Sequence, residues 1–553
     1  MNKKVCSFPI LFALLALLIG TCAVVFPASA QAAPTSTGSI TVSGTVASSY
    51  DAYQIFSANV VDGDSDAKIA TDLAWASGAV RGAALPVLHS AGMSNSQATA
   101  QEAAEWLNTD SHLTSALSAQ LARSLQSSGA VPVALNAGTA AELPCGYWLI
   151  VADDDAIAQG EAGTAPIMTL VGGSAVTVKP KAATPKVSKH VLEDGTAAWQ
   201  KAADATVGDD LYWRLSATVP AGLTAYDTYT VRFVDTMGAG LDPSKVAASM
   251  RVYVAAGADG GFDAVACEGG NANSTPAKGW TDITSHCRVS IEGNAFTVRT
   301  GDLVAALGGA DAFTAGARVV AVYNAPLNSA CNHGIAKGNP NEVYLRYPRS
   351  PFADQTGDAG FTRTPSDDAC AYTWDLALTK RGSDGDKPLS GAVLSIADDR
   401  GRTLAADGTW DAEGKATVTT GEDGRVTVSG VDSGKLEVRE LKAPKGYTAF
   451  EGTRSVTVKA EGLDVDQVAA AKPKLTVTAE SPLRADSADG STGSLEASLI
   501  NTPTGTPPSI TTGGFMPSTG DMAMYAAAAA AVAGAALIVV ALLVKRGGGS
   551  HKE

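Results

Sequence analysis

Past residue 186 the chain is cut into short apolar runs, 211–215, 229–234, 252–255, 319–323 and 343–347, each bounded by Gly, Pro and Asp. Runs this short, closed by residues that break regular structure, form strands, and several in succession bury a core by stacking two sheets. The spacing predicts an all-β sandwich over 184–371. Upstream the pattern is mixed. Residues 39–42 and 53–56 have strand composition, whereas Leu113, Leu117, Leu121 and Leu125 recur at the i, i+4 spacing of a helix face. That stripe is read as core, and 34–180 as an α+β domain, with 144–150 a turn entering a buried strand. A chain of 553 residues exceeds one hydrophobic core, so several domains are expected.

Both ends carry apolar segments with a different purpose. Lys3 and Lys4 precede an apolar stretch over 10–26, and Ala28-Ser29-Ala30 supplies small residues for cleavage, so 1–32 reads as an export leader. At the other end a Thr/Pro/Gly-rich tether, 504–515, leads to Met516-Pro517-Ser518-Thr519-Gly520, an apolar run over 523–544, and Lys545-Arg546. About 20 apolar residues at about 1.5 Å each cross a bilayer core, and the basic pair places the C-terminus in the cytoplasm. The expected location is therefore secreted and surface-attached. A net charge of −15 argues against nucleic acid or an anionic membrane surface as partner. The chain has no His-Glu-x-x-His, no Gly-x-Ser-x-Gly and no phosphate-cradling glycine loop, so no turnover enzyme and no cofactor are expected. No metal is expected either: the acidic loop from Asp62 to Asp66 lacks the glycine and closing glutamate of an EF-hand loop, and its Lys68 is expected in solvent. Of seven cysteines, Cys6 and Cys22 fall in the leader, which leaves five, of which four can pair in an exported chain. Spacing leaves the pairing open; the expected bridges are Cys267–Cys287 and Cys331–Cys370, with Cys145 a buried thiol.

The pentapeptide at 516–520 resembles the Leu-Pro-x-Thr-Gly sorting signal of Gram-positive surface proteins, with Met516 in place of Leu. That resemblance implies cleavage between Thr519 and Gly520 and transfer of the Thr519 carbonyl to an amine. Val176-Thr177-Val178-Lys179-Pro180-Lys181 resembles the pilin motif that supplies such an amine, which implies Lys181 as acceptor; Lys179 is the alternative, because the Tyr of the commoner motif is missing. Val187-Ser188-Lys189-His190-Val191, Phe233-Val234-Asp235-Thr236 and Gly338-Asn339-Pro340-Asn341-Glu342-Val343 resemble pieces of a Cna A-type Ig-like domain. Asp375-Leu376-Ala377-Leu378-Thr379-Lys380, Leu389-Ser390-Gly391-Ala392 and Glu437 through Tyr447 are similar to a Cna B-type (SpaA-like) domain over 372–503, the last containing its E-box. Taken together the chain resembles the sortase-assembled pilus backbone subunits. The implied fold is mainly β, with tandem Ig-like sandwiches after the mixed N-terminal domain. The implied partners are a class C type pilus sortase and a housekeeping sortase, identical subunits, minor pilins, peptidoglycan and a host surface ligand. A monomeric wall-anchored adhesin or a minor pilin is the alternative: it would share the leader, β-domains and sorting signal without using Lys181.

The resemblance also implies a chemistry. In each sandwich a lysine on the first strand, an acid in the middle and an asparagine on the last strand form an intramolecular isopeptide bond. Burial lowers a lysine pKa and raises that of a carboxyl group, so a neutral amine and a protonated acid coexist in a dry core. The residues implied are Lys189, Asp235 and Asn341, and then Lys380, Glu440 and Asn501. In the first set Lys186 competes with Lys189, and Asn339 with Asn341. The first domain shows no such set.

Overall fold

The computed structural model describes residues 36–505, except 65–66, 110, 164, 181–183, 221–222, 257–278 and 314–315. The leader 1–32, Lys181, Cys267, Met516 to Gly520 and the apolar run 523–544 lie outside the described residues. Among the described residues no helix is long and apolar enough to cross a membrane.

Three packed regions follow one another along the chain. The first joins a five-stranded sheet, built around Ser49–Asp62 and Gly146–Ala152, to a three-stranded sheet in which Thr37–Val42 lies between Ala141–Pro144 and Val176–Val178. Three helices, Gly78–Ser90, Ala100–Leu107 and Ser115–Ser127, cover the larger sheet. The leucine stripe is shorter than its spacing predicts. Thr114 caps the third helix, its hydroxyl accepting from the Leu117 N–H, so Leu113 lies before the helix and is 42% exposed, whereas Leu117, Leu121 and Leu125 are buried. Lys68 also departs from expectation. It opens the Lys68–Trp75 strand and is only 13% exposed, its ammonium donating to the carbonyls of Gly172 and Ser174 and pairing with Asp62 at 3.2 Å. The turn after Ile167–Val171 folds over it and supplies the carbonyls its ammonium donates to.

The second region is a sandwich of two sheets. One runs Ala198–Gln200, Val187–Glu193, Tyr212–Thr218, Arg318–Asn324, Arg251–Ala255, Trp280–Asp282. The facing sheet contains Asn339–Pro348 paired with Arg232–Met237, which in turn pairs with Ala295–Arg299. The Arg318–Asn324 strand reads as a continuous apolar run because both its faces are covered: Val319, Ala321 and Tyr323 enter the sandwich core, while Val320 and Val322 pack outside with Tyr253 and Trp280. The strand expected at 229–234 begins at Arg232 instead. Side chains replace the ladder before it, since the N–H groups of Tyr229, Thr230 and Val231 donate to Asp302, Gln355 and Thr300.

In the third region the first and last strands, Trp374–Gly382 and Ser494–Pro503, are parallel neighbours at the centre of one sheet. The facing sheet holds Val393–Ala397, Gly434–Lys442 and Thr453–Glu461 side by side. Leucines and valines from both sheets, with Trp374, fill the space between. The second and third regions meet along a polar seam beside an apolar patch, where Ala202, Cys370 and Tyr372 join the core of the third. Trp374 Nε1 and Ser433 donate to Asp204, Arg402 pairs with Asp209, and the backbones at Gly334 and Gly493 approach so closely that a Cβ on Gly334 would fall 2.5 Å from the Gly493 nitrogen.

Candidate functional site

Strand alternation turns every second side chain of Val187–Glu193 inward, and one of these is a lysine. Lys189 is wholly buried, its ammonium between the rings of Trp213 and Tyr323. From the facing sheet Asp235 and Asn341, on adjacent paired strands, enter the same pocket, and both are wholly buried. Lys189 Nζ pairs with Asp235 Oδ2 and donates to the Tyr323 hydroxyl at 2.8 Å. Tyr323 donates to Asp235 Oδ2 at 3.0 Å and accepts from Asn341 Nδ2 at 2.8 Å. One hydroxyl therefore touches the amine, the acid and the amide. Burial lowers the Lys189 pKa to about 8 against the pull of Asp235, and raises that of Asp235. Asp235 Oδ1 and Asn341 Oδ1 have no hydrogen-bond donor. Two buried acceptors without a donor cost about 1–3 kcal/mol each, and a carboxyl proton on Asp235 is the donor such a pocket lacks.

The third region repeats the residue types in another arrangement. Lys380 and Asn501 sit on the parallel first and last strands, Lys380 opposite Leu499 and Asn501 opposite Gly382, and Glu440 reaches them from the facing sheet. All three are buried. Lys380 Nζ donates to the Leu499 carbonyl at 3.2 Å and lies 3.8 Å from Glu440 Oε1, and burial lowers its pKa to about 8. The Asn501 amide faces both Glu440 oxygens at 2.9 and 3.0 Å, and Phe450 N–H donates to Oε2. Asn501 Oδ1 is again without a donor. Turning the amide over exchanges its oxygen and nitrogen and sets Oδ1 against the Glu440 carboxyl.

The competing candidates have other roles. Lys186 is exposed, and Asn339 spends its amide on the backbone of Asn332 and Ala371. Lys179 is exposed at the end of its strand. Tyr323, the hub of the first pocket, was not singled out in the sequence. Its one signal is an aromatic hydroxyl at the inward position of a valine-rich strand. The expected Cys331–Cys370 bridge is absent: Cys331 packs against the core of the second region and Cys370 belongs to that of the third, and both are free thiols. The expected Cys267–Cys287 bridge involves Cys267, outside the described residues; Cys287 is half-buried, and Cys145 is a buried thiol. Burial raises the thiols of Cys287, Cys331 and Cys370 to about 11. Among the described residues the one three-carboxylate group is Glu193, Asp204 and Asp432, at the polar seam.

Residues 375–472, which include Lys380 and Glu440, match the family model of the SpaA domain, a prealbumin-like fold. Over 143 residues the chain is 30% identical to the trypsin-resistant surface T6 protein of Streptococcus pyogenes serotype M6, and the match spans about a quarter of that relative's length, 24% of each chain. Among solved structures, the T6 backbone pilin of serotype M6 Streptococcus pyogenes aligns at 17% identity and a TM-score of 0.46, covering 85% of this chain and 98% of that one. The full-length major pilin SpaD from Corynebacterium diphtheriae aligns at 15% identity and a TM-score of 0.41, with 85% and 98% covered. Both scores fall below 0.5.

Proposed function

We propose that this chain is the structural shaft subunit of a cell-wall-anchored pilus, joined to its neighbours by sortase and stiffened by two internal lysine–asparagine isopeptide bonds. The observation that carries the reading is the pair of dry pockets that each bring one lysine, one acid and one asparagine together. With a pKa of about 8, roughly a tenth of Lys189 or Lys380 is neutral at pH 7. The neutral amine attacks the side-chain amide carbon of Asn341 or Asn501, while the carboxyl of Asp235 or Glu440 hydrogen-bonds the carbonyl oxygen, takes up the proton the amine sheds and delivers it to the leaving nitrogen. A new C–N bond replaces the old one and ammonia departs. The SpaA-domain match and the relation to the T6 surface protein support the same reading.

Between subunits, a pilus sortase would move the Thr519 carbonyl to Lys181 of the next copy, and a housekeeping sortase would pass the finished fibre to peptidoglycan. The test is expression with the cognate pilus sortase. Wild type is expected to run as an SDS-resistant ladder, and Lys181→Ala as a wall-attached monomer. A ladder that survives in both Lys181→Ala and Lys179→Ala would move the acceptor elsewhere, and a wild type that never forms a ladder would favour the adhesin.

A further inference from the structure

Five arginines stand side by side across the outer face of the second region's larger sheet. Arg288 pairs with Arg299, Arg299 with Arg232, Arg232 with Arg346, and Arg346 with Arg363, each directly opposite the next. Residues directly opposite share a face, and like charges so placed repel. At about 4.8 Å per strand the row is roughly 19 Å long. In a chain of net charge −15 this arrangement stands out. Among the described residues the one carboxylate in ion-pair contact with the row is Asp358, which is 66% exposed and bridges Arg232 and Arg346. Backbone carbonyls of Gln355 and Gly357 accept from Arg299 and Arg232 without neutralising them; Arg232, the middle of the row, is itself buried under Phe361, so Arg288, Arg299, Arg346 and Arg363 are the members that reach solvent.

At one end the row opens into a cleft of about 480 Å³ between the sheet and the first region's Ile157 and Gln159. Arg346, Arg349 and Arg363 line it, no carboxylate does among the described residues, and Tyr344 and Phe361 provide its apolar surface. Arg363 lies over the Tyr344 ring at 5.1 Å, and Arg349 donates to the Asp154 carbonyl, while burial raises the Asp154 carboxyl pKa. Planar guanidiniums held by rings and carbonyls present preset forks to an oxyanion. The alternation of forks with aromatic faces fits a ligand whose charged groups are separated by rings with apolar faces.

We propose that this cleft and the arginine row bind a linear sulfated glycan, one sugar sulfate in the Arg346–Arg349–Arg363 cleft and further sulfates along the row. The partner is defined by this chemistry alone, and the site is independent of polymerisation. The test is calorimetric titration of the full chain with a heparin-derived hexasaccharide at several salt concentrations. Binding at about 0.15 M salt is expected. Arg349→Ala and Arg363→Ala should each weaken it roughly 5–10-fold and lower the slope of log affinity against log salt by about one. Asp358→Asn, which removes the competing carboxylate, should tighten binding several-fold, an outcome that a loosened fold would not give. Arg425→Ala, in the third region and paired with Glu496, should leave it unchanged. Absence of binding at that salt, equal affinity in the cleft variants, or tighter binding of poly(glycerol phosphate) than of the hexasaccharide would overturn the assignment.

Discussion

The two lysine pockets use the same residue types on different scaffolding. In the second region the lysine stands on one sheet while the acid and the asparagine stand together on the other, so a Lys189–Asn341 bond would bolt the sheets face to face. In the third the lysine and the asparagine share a sheet, on its first and last strands, and the acid alone crosses the core, so a Lys380–Asn501 bond would tie the chain's entry to its exit. The intermediary differs too. Tyr323 links all three partners in one pocket, whereas Glu440 meets the Asn501 amide directly in the other. What the pockets hold in common is dryness and convergence, and the difference shows that neither depends on which strand supplies which group.

The largest effect separates the two bonds by removing their acids. Intact mass of the ectodomain is expected to fall two ammonias short of the sequence, and Asp235→Ala and Glu440→Ala should each restore one. Losing a tie that closes a loop of more than a hundred residues should cost about 4–5 kcal/mol by analogy with a disulfide, and lower the melting temperature of that domain by about 10 °C or more. A full sequence mass in wild type would remove the comparison altogether. A smaller effect tests the intermediary. Tyr323→Phe strips the shared hydroxyl and should slow ammonia loss in the second region while leaving the third unchanged, at about 1–3 kcal/mol of stability; equal slowing in both would show that Tyr323 acts through general packing. The smallest effect lies between the pockets, at the seam. Burial and the neighbouring Asp204 raise the Glu193 pKa to about 8, and Asp432 is raised as well. A carboxyl whose folded pKa is raised stabilises below its unfolded pKa of about 4.3, and that contribution is lost as pH climbs through about 8. Melting should therefore shift down by a few degrees between pH 5 and pH 8.5, and Glu193→Gln should flatten the shift. A steeper fall in that variant would point to other groups.

The inward lysines, acids and asparagines were readable because short motifs fix their strand positions, and strand alternation then decides which side chains meet. Tyr323 was not, because nothing local distinguishes an inward tyrosine that serves a pocket from one that only packs. Lys68 and Leu113 were misread for the same local reason. A turn folding back more than a hundred residues later closes over one, and a threonine cap excludes the other from its helix. The Cys331–Cys370 bridge does not form because Cys370, on a strand of the second region, faces the core of the third. The parallel pairing of Trp374–Gly382 with Ser494–Pro503 is likewise a property of topology, invisible to any window of sequence.

That pairing sets how the third region meets tension. Its two strands run side by side in register from Asp375 opposite Ser494 to Gly382 opposite Asn501, so the chain enters at one end of the pair and leaves at the other. A pull on the two termini would slide the strands past each other and load all the bonds between them at once, instead of peeling them apart one by one. Lys380 and Asn501 lie at the exit end of that seam. Once joined, they would route tension from the first strand straight into the tether, leaving the loops and the facing sheet slack.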